Sequence, residues 1–204
     1  MQFPIIEEEL LFRILFIVAY ALFASVRFYY RGKTIGRESE KDYTKIDKSA
    51  IMLSAAIIGY LGLVIIYIVI PDLIFWASIG LPFIVRLCGV GIAFAAIILV
   101  FTTHRLLGAQ YSAKQEIQKD HALISEGIYN HIRHPMYTGF NVFDLAISLI
   151  SANLLLIIFS ILVALPFPWM ARKEEAMLTE QFGDEYREYM TRTGRFFPTI
   201  RKKK

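Results

Sequence analysis

The sequence predicts an all-α membrane protein with five transmembrane helices. First, 56% of its 204 residues are hydrophobic, whereas soluble domains contain about 45–50%. Second, these residues are gathered into runs that approach the roughly 20 residues needed to cross a bilayer. Third, lysine and arginine concentrate in alternate loops, as the positive-inside rule requires of successive passes.

The first half of the chain, residues 1–103, predicts three transmembrane helices. Their approximate ranges are 10–30, 49–70 and 81–103. Pro71 ends the second helix, because proline has no N–H and clashes with the preceding turn. Pro82 lies in the first turn of the third helix, where a missing N–H costs nothing.

The apolar stretch 137–170 is too long for one crossing, and a small polar segment interrupts it. We therefore predict a helical hairpin, with a short fourth helix to about Ile150 and a fifth from about Asn153. Pro166 and Pro168 predict a kink near the inner end of the fifth helix. Together with its polar flanks, the hairpin forms a second unit, residues 104–204.

The distribution of Lys and Arg orients the chain. Residues 31–48 hold six, 104–136 hold four and 171–204 hold nine, whereas 71–80 hold none. No basic residue precedes the first span, where the run Glu7-Glu8-Glu9 also lacks the positive region of a signal peptide. The pattern predicts an integral cell-membrane protein with the N-terminus outside and the C-terminus cytoplasmic.

Composition also excludes several classes of function. The net charge of +4 comes from basic residues beside apolar helices, so it predicts contact with membrane lipids and no nucleic-acid partner. No protein partner is inferred. The sequence contains no nucleotide-binding glycine loop, no Cys-x-x-Cys and no His-Glu-x-x-His. Its four histidines show no metal-ligand spacing, so no metal site is predicted.

Two polar segments, 104–136 and 171–204, flank the hairpin and share its cytoplasmic side, so they can meet at one site. Pro135 disfavours the helical conformation for His134. Arg133 and His134 therefore lie on a fixed bend and can point into a pocket beneath the fourth helix. The alternative is a juxtamembrane loop with ordinary headgroup anchors.

The fifth helix continues past the bilayer into a charged stretch that contains Glu174 and Glu175. Ala171, Leu178 and Phe182 recur there at helical spacing, so one face of this extension stays packed. A carboxylate pair at the mouth of a transmembrane hairpin is a candidate binding site. The alternative is a solvated face beside neighbouring basic residues.

These segments resemble the isoprenylcysteine carboxyl methyltransferase family. The first resemblance is carried by His121-x-Leu123-Ile124, Gly127-x-Tyr129 and Arg133-His134-Pro135-x-Tyr137-x-Gly139. The second is carried by Glu174-Glu175-x-x-Leu178, Phe182-Gly183-x-x-Tyr186-x-x-Tyr189 and Phe197-Pro198. The resemblance covers roughly residues 100–200, and the five-pass layout is similar to that of the compact prokaryotic members.

The resemblance implies S-adenosyl-L-methionine as methyl donor, bound on the cytosolic side, and S-adenosyl-L-homocysteine as product. It also implies carboxyl O-methylation of an isoprenylcysteine-like, lipid-linked substrate that enters from the bilayer. Carried over by position, the donor pocket would be lined by Gln115, His121, Leu123, Ile124, Tyr129, His134, Pro135, Met136, Tyr137 and Glu174. Arg172 and Arg133 are the catalytic candidates, and Arg172 would face the substrate carboxylate.

The chemistry suits these residues, because a carboxylate acceptor is already ionised near neutral pH and needs no strong base. Three alternatives stay open. A phospholipid or other small-lipid methyltransferase would share the donor half and differ in its acceptor. An NADPH-dependent membrane reductase of the sterol-reductase type has a similar Arg-His-Pro element. A non-enzymatic membrane scaffold would bind neither ligand.

Overall fold

The computed structural model describes residues 3–34, 48–107 and 123–199, and these residues are predominantly helical. Within them, α-helices span Phe3–Thr34 (α1), Lys48–Val69 (α2), Phe83–Leu107 (α3), Pro135–Ser151 (α4), Leu154–Ala164 (α5), Phe167–Phe182 (α6) and Asp184–Arg192 (α7). Short 3-10 helices cover Pro71–Ala77 and Gly127–Asn130. The predicted all-α architecture is confirmed for the described part of the chain.

Four helical segments are long and apolar enough to cross a membrane. They are Glu7–Lys33, Ile51–Val69, Phe83–Leu107 and Leu154–Phe182, and they correspond to the predicted first, second, third and fifth spans. The chain is thus a multi-pass integral membrane protein. Helix α4 has 17 residues, fewer than the roughly 20 that a perpendicular crossing needs.

The predicted hairpin is confirmed. Between α4 and α5, Ala152 adopts a left-handed conformation with φ 48°. The next residue, Asn153, caps α5 by accepting a hydrogen bond from the Leu155 N–H at 3.0 Å. The Asn153 amide also donates to the Ile74 carbonyl at 2.9 Å. The turn of the hairpin is therefore fastened to the 3-10 helix that follows α2.

The predicted kink is also confirmed, as a break between two helices. Helix α5 ends at Ala164 and α6 begins at Phe167, with Pro166 between them. Pro168 lies in the first turn of α6, where its missing N–H is tolerated. The break separates the apolar α5 from α6, which carries the charged stretch.

Helix α4 is the centre of the bundle and contacts α1, α3 and α5. Its residues Phe143, Ala146, Ile147 and Ile150 are fully buried. The crossing with α3 is close, because a Cβ atom at Gly139 would lie 2.6 Å from the Val100 Cγ2 atom. This packing fixes the start of α4, and with it the segment that precedes Pro135.

An ion pair fastens the opposite end of the bundle. The guanidinium of Arg86 is buried in α3 and donates to both Glu9 carboxylate oxygens, at 2.5 and 3.1 Å. Its Nε also donates to the Ile150 carbonyl at 3.0 Å. Because a buried charge is costly unless it is paired, this contact holds α1, α3 and the end of α4 in one arrangement.

Candidate active site at the start of α4

A buried carboxylate, Glu175 of α6, organises the site. Only 7% of its side chain is exposed. It accepts a hydrogen bond from Arg133 Nε at 2.8 Å and another from Arg195 Nη2 at 2.5 Å. Arg133 precedes α4 and Arg195 follows α7, so one carboxylate joins three separate parts of the chain. Such a charge is stable in a buried position because both arginines compensate it.

Arg133 is also fixed by the backbone that it contacts. Its Nη1 donates to the Met190 carbonyl at 3.2 Å and to the Thr193 carbonyl. With Nε bound to Glu175, the planar guanidinium has partners on two sides. The Arg133 side chain is 10% exposed, so these contacts hold it in a fixed position.

His134 lies between the two glutamates. Its Nδ1 is 3.4 Å from a Glu174 oxygen, and its Nε2 is 3.4 Å from a Glu175 oxygen. The Nε2 contact lacks hydrogen-bond geometry, so it acts through charge. Burial lowers the pKa of His134, but the contacts and charges of Glu174 and Glu175 together raise it above the usual 6.5. The site favours the imidazolium form.

This pKa shift predicts that His134 contributes to pH-dependent stability. Because the folded-state pKa is raised, the contribution is fully present below pH 6.5 and is lost as pH rises through the folded-state pKa. Thermal unfolding in detergent from pH 6 to about pH 9 should show this decline. His134→Asn should remove the part of this pH dependence of stability that His134 contributes. His131→Asn, at an exposed position three residues earlier, should retain it. Equal slopes for the wild type and His134→Asn would contradict the assignment.

The segment after α7 pairs with the bend before α4. Ile132 and Gly194 form an isolated parallel bridge. The Arg133 N–H donates to the Gly194 carbonyl at 2.8 Å, and the His134 N–H donates to the Arg195 carbonyl at 3.0 Å. A side chain at Gly194 would collide with the Phe197 carbonyl. The C-terminal segment is therefore part of the site, and it holds the backbone of the Arg133–His134 bend.

An aromatic wall adjoins Glu174. The Tyr137 hydroxyl donates to a Glu174 oxygen at 3.1 Å. The Tyr137 ring stacks on His134 with a centroid distance of 5.4 Å and also contacts Phe167 at 4.9 Å. The Glu174 side chain is 37% exposed, against 7% for Glu175. The accessible carboxylate of the pair thus lies beside flat ring surfaces.

Several predicted site residues come together here, and others do not. The cluster just described, at the start of α4, contains Arg133, His134, Pro135, Tyr137 and Glu174. Leu123, Ile124 and Met136 are half-buried, and the buried Tyr129 accepts a hydrogen bond from Tyr189 through its carbonyl. Arg172 is exposed on α6. Gln115 and His121 lie outside the described residues.

The site also contains Glu175, which the sequence indicated only as half of a carboxylate pair, and Arg195, which sequence reasoning missed. A signal for Glu175 was present, because it lies on the packed face of Ala171, Leu178 and Phe182, at i+4 from Ala171. Its burial makes the solvated-face alternative wrong for this residue. No local pattern marks Arg195, whose role depends on the fold of the C-terminal segment.

Comparison with known proteins is consistent with a methyltransferase. The family model described as phospholipid methyltransferase matches residues 84–185. A protein-S-isoprenylcysteine O-methyltransferase of Schizosaccharomyces pombe is 35% identical over 83 residues, which are 40% of this chain and 35% of that protein. The Saccharomyces cerevisiae protein of the same name is 28% identical over 193 residues, 91% of this chain and 79% of that protein.

The fold is similar to that of a solved structure. The solved structure is that of the eukaryotic intramembrane Ras methyltransferase, isoprenylcysteine carboxyl methyltransferase, with a TM-score of 0.58 and 22% sequence identity. The similarity covers 91% of this chain and 65% of that one. This chain therefore spans about a third of the S. pombe relative and about two thirds of the solved chain.

Proposed function

Since the chain belongs to the phospholipid methyltransferase family, we propose that it transfers a methyl group from S-adenosylmethionine to a lipid-linked acceptor. The acceptor group is a carboxylate, as in isoprenylcysteine, which is the substrate in the names of the S. pombe and S. cerevisiae relatives. One observation supports the site assignment above others: Glu174 is accessible, faces an aromatic wall and is held by Tyr137.

The residues present fit the donor. S-adenosylmethionine carries an ammonium and two ribose hydroxyls, which require an accessible hydrogen-bond acceptor. Glu174 offers one, whereas the oxygens of Glu175 are occupied by Arg133 and Arg195. The donor pocket that we propose contains Gln115, His121, Leu123, Ile124, Tyr129, His134, Pro135, Met136, Tyr137 and Glu174. When bound, the donor supplies an electrophilic methyl group on a sulfonium.

The protein's own contribution is alignment and exclusion of water. The acceptor carboxylate is ionised near neutral pH, so its oxygen attacks without a general base. We propose that Arg172, exposed beside the membrane end of α6, pairs with this carboxylate and orients it. We infer a positioning role for Arg133, because its donors already bind Glu175, Met190 and Thr193. Holding reactants in line lowers a bimolecular barrier substantially.

We further propose five membrane passes, with the site and the C-terminus in the cytoplasm. Helix α4 begins at the site and ends at the hairpin turn, which contacts the 3-10 helix Pro71–Ala77 at the opposite end of the bundle. Its 17 residues rise about 25 Å, which tilt or local thinning can match to the bilayer. This layout, and a catalytic half formed by residues 104–204, supports a compact prokaryotic-type member.

The topology predicts opposite labelling of two introduced cysteines. Phe75→Cys lies in the 3-10 helix after α2, and Glu188→Cys lies on α7; both positions are exposed. Both would be placed in a Cys88→Ala background, because Cys88 is exposed too. In intact cells, a membrane-impermeant maleimide should label position 75 and not position 188. Labelling of both from one side would contradict five passes.

A phospholipid amine is the second candidate acceptor, and the description of the family favours it. An amine must lose a proton during methylation, so this reaction needs a base. In the cluster, Glu175 is bound by arginines, and the raised pKa of His134 favours its protonated form, so Glu174 is the candidate base. Measuring methyl transfer to a carboxylate acceptor and to a phospholipid amine side by side decides between the two candidates.

Donor binding is testable before the acceptor is known. S-adenosylhomocysteine at 100 times its dissociation constant should stabilise the purified protein by about 2.7 kcal/mol, and NADPH should not. Thermal unfolding in detergent measures both. Stabilisation by NADPH alone would favour a reductase, and stabilisation by neither ligand would favour a scaffold.

A further inference from the structure

A polar stripe extends from the candidate active site into the membrane-embedded part of α4. It consists of Tyr137, Asn141, Asp144 and Ser148, spaced at i, i+4, i+7 and i+11. At 3.6 residues per turn, these positions lie on one face of the helix. The Ser148 hydroxyl is 3.0 Å from the Leu156 carbonyl of α5, so the stripe faces the neighbouring helices.

Two groups in this stripe have unmet hydrogen-bonding capacity. The Oδ1 atom of Asn141 is buried and has no hydrogen-bond partner. Among the described residues, neither a cation nor a hydrogen-bond donor contacts the Asp144 carboxyl group. Intramembrane polar groups are costly and usually have partners, and a buried acceptor without one loses a hydrogen bond that water would have supplied.

Two tyrosines lie in the same region. The ring of Tyr20 in α1 is 5.9 Å from the ring of Phe143, the residue before Asp144, and Tyr60 of α2 contacts Asp144 itself. The Tyr60 hydroxyl donates to the Asp144 backbone carbonyl at 3.2 Å, which leaves the carboxyl group itself available. Asp144 is partly exposed, and Leu145 beside it is exposed. A molecule in the bilayer can therefore reach it from the side.

We propose that Asn141 and Asp144 form an intramembrane binding site for a hydroxyl group on a lipid. A hydroxyl both donates and accepts, so it can donate to the Asp144 carboxyl group and accept from the Asn141 side-chain NH₂. Asp144 lies seven residues beyond Tyr137, about 10 Å along the helix. The lipid therefore has its headgroup near the candidate active site and its hydroxyl in mid-chain. This site does not depend on methyl transfer.

A matched pair of lipids tests the proposal. Stearic acid and stearic acid hydroxylated in mid-chain have the same headgroup and length and differ in one oxygen. Their apparent affinities are measured from the thermal unfolding midpoint of the full-length protein in nonionic detergent. The wild type should bind the hydroxylated acid about tenfold more tightly, the scale of one net hydrogen bond.

Variants locate this preference. Asp144→Leu and Asn141→Leu should each reduce the difference in affinity between the two acids to less than about twofold. Leu145→Ala, at a neighbouring exposed position, should keep the tenfold difference. The two leucine variants are independent, so one suffices if the other fails to fold. A wild type that binds both acids equally, or leucine variants that retain the preference, would overturn the proposal. S-adenosylhomocysteine binding is measured separately, so failure of the methyltransferase assignment would leave this result unchanged.

Discussion

Replacement of Glu175 by leucine is expected to destabilise the protein by about 3–5 kcal/mol, the usual result of removing one partner of a buried ion pair. Two arginines converge on this carboxylate, and Arg133 is itself 10% exposed. Without Glu175, Arg133 would remain buried next to His134 with no counter-charge. We also expect the paired segments around the Arg133–His134 bend to separate, so donor affinity should fall at least tenfold.

The neighbouring glutamate provides the control. Glu174→Leu changes the same residue type on the same helix, but its side chain is 37% exposed. It should cost less than about 1 kcal/mol, as is typical of exposed ion pairs. Denaturant unfolding in mild detergent measures both variants. A double variant, Arg133→Met with Glu175→Leu, should recover much of the lost stability, because the buried guanidinium is then removed together with its partner. Equal destabilisation by the two single variants would contradict a structural role for Glu175.

The second large effect concerns Glu174 and donor affinity. Glu174→Gln keeps the shape of the side chain and removes its charge. It should raise the dissociation constant of S-adenosylhomocysteine tenfold to a hundredfold, roughly the scale of one or two charge-assisted hydrogen bonds. The stability of the unliganded protein should change little. Isothermal titration of the purified variant measures the affinity directly.

Two further variants distinguish the proposed roles. Tyr137→Phe removes the hydrogen bond to Glu174, whose length is 3.1 Å, so its effect should be smaller than that of Glu174→Gln and not additive with it. Arg172→Ala should leave donor affinity nearly intact and lower turnover of a carboxylate acceptor. If Arg172→Ala weakens donor binding as strongly as Glu174→Gln, the two residues act on one ligand and the proposed division is wrong.

The membrane-embedded helices could be predicted because their signals are local. Apolar runs located four spans, and a short polar break at Asn153 located the hairpin turn. Pro166 located the break between α5 and α6. Each of these features follows from the conformational preferences of a few adjacent residues.

The interior of the site could be predicted only in part. Arg133 and His134 were identified by the bend that Pro135 imposes, but their partners come from distant sequence. The Thr193 carbonyl that Arg133 contacts is 60 residues away. Pairing of this kind depends on how α6 and α7 return to the start of α4, and no local pattern encodes it. Glu174 and Glu175 are adjacent and chemically identical. Only the side of α6 on which each one lies decides that Glu175 is buried and Glu174 is accessible.

The most direct test of the account is methyl transfer itself. The purified protein would be incubated with S-adenosylmethionine labelled in its methyl group and with an S-farnesylated cysteine that has a free carboxylate. We predict label in a base-labile methyl ester, none when the carboxylate is replaced by an amide, and less in Arg172→Ala. Label incorporated equally into the acid and the amide, or transferred only to an amine phospholipid, would contradict carboxyl methylation by this site.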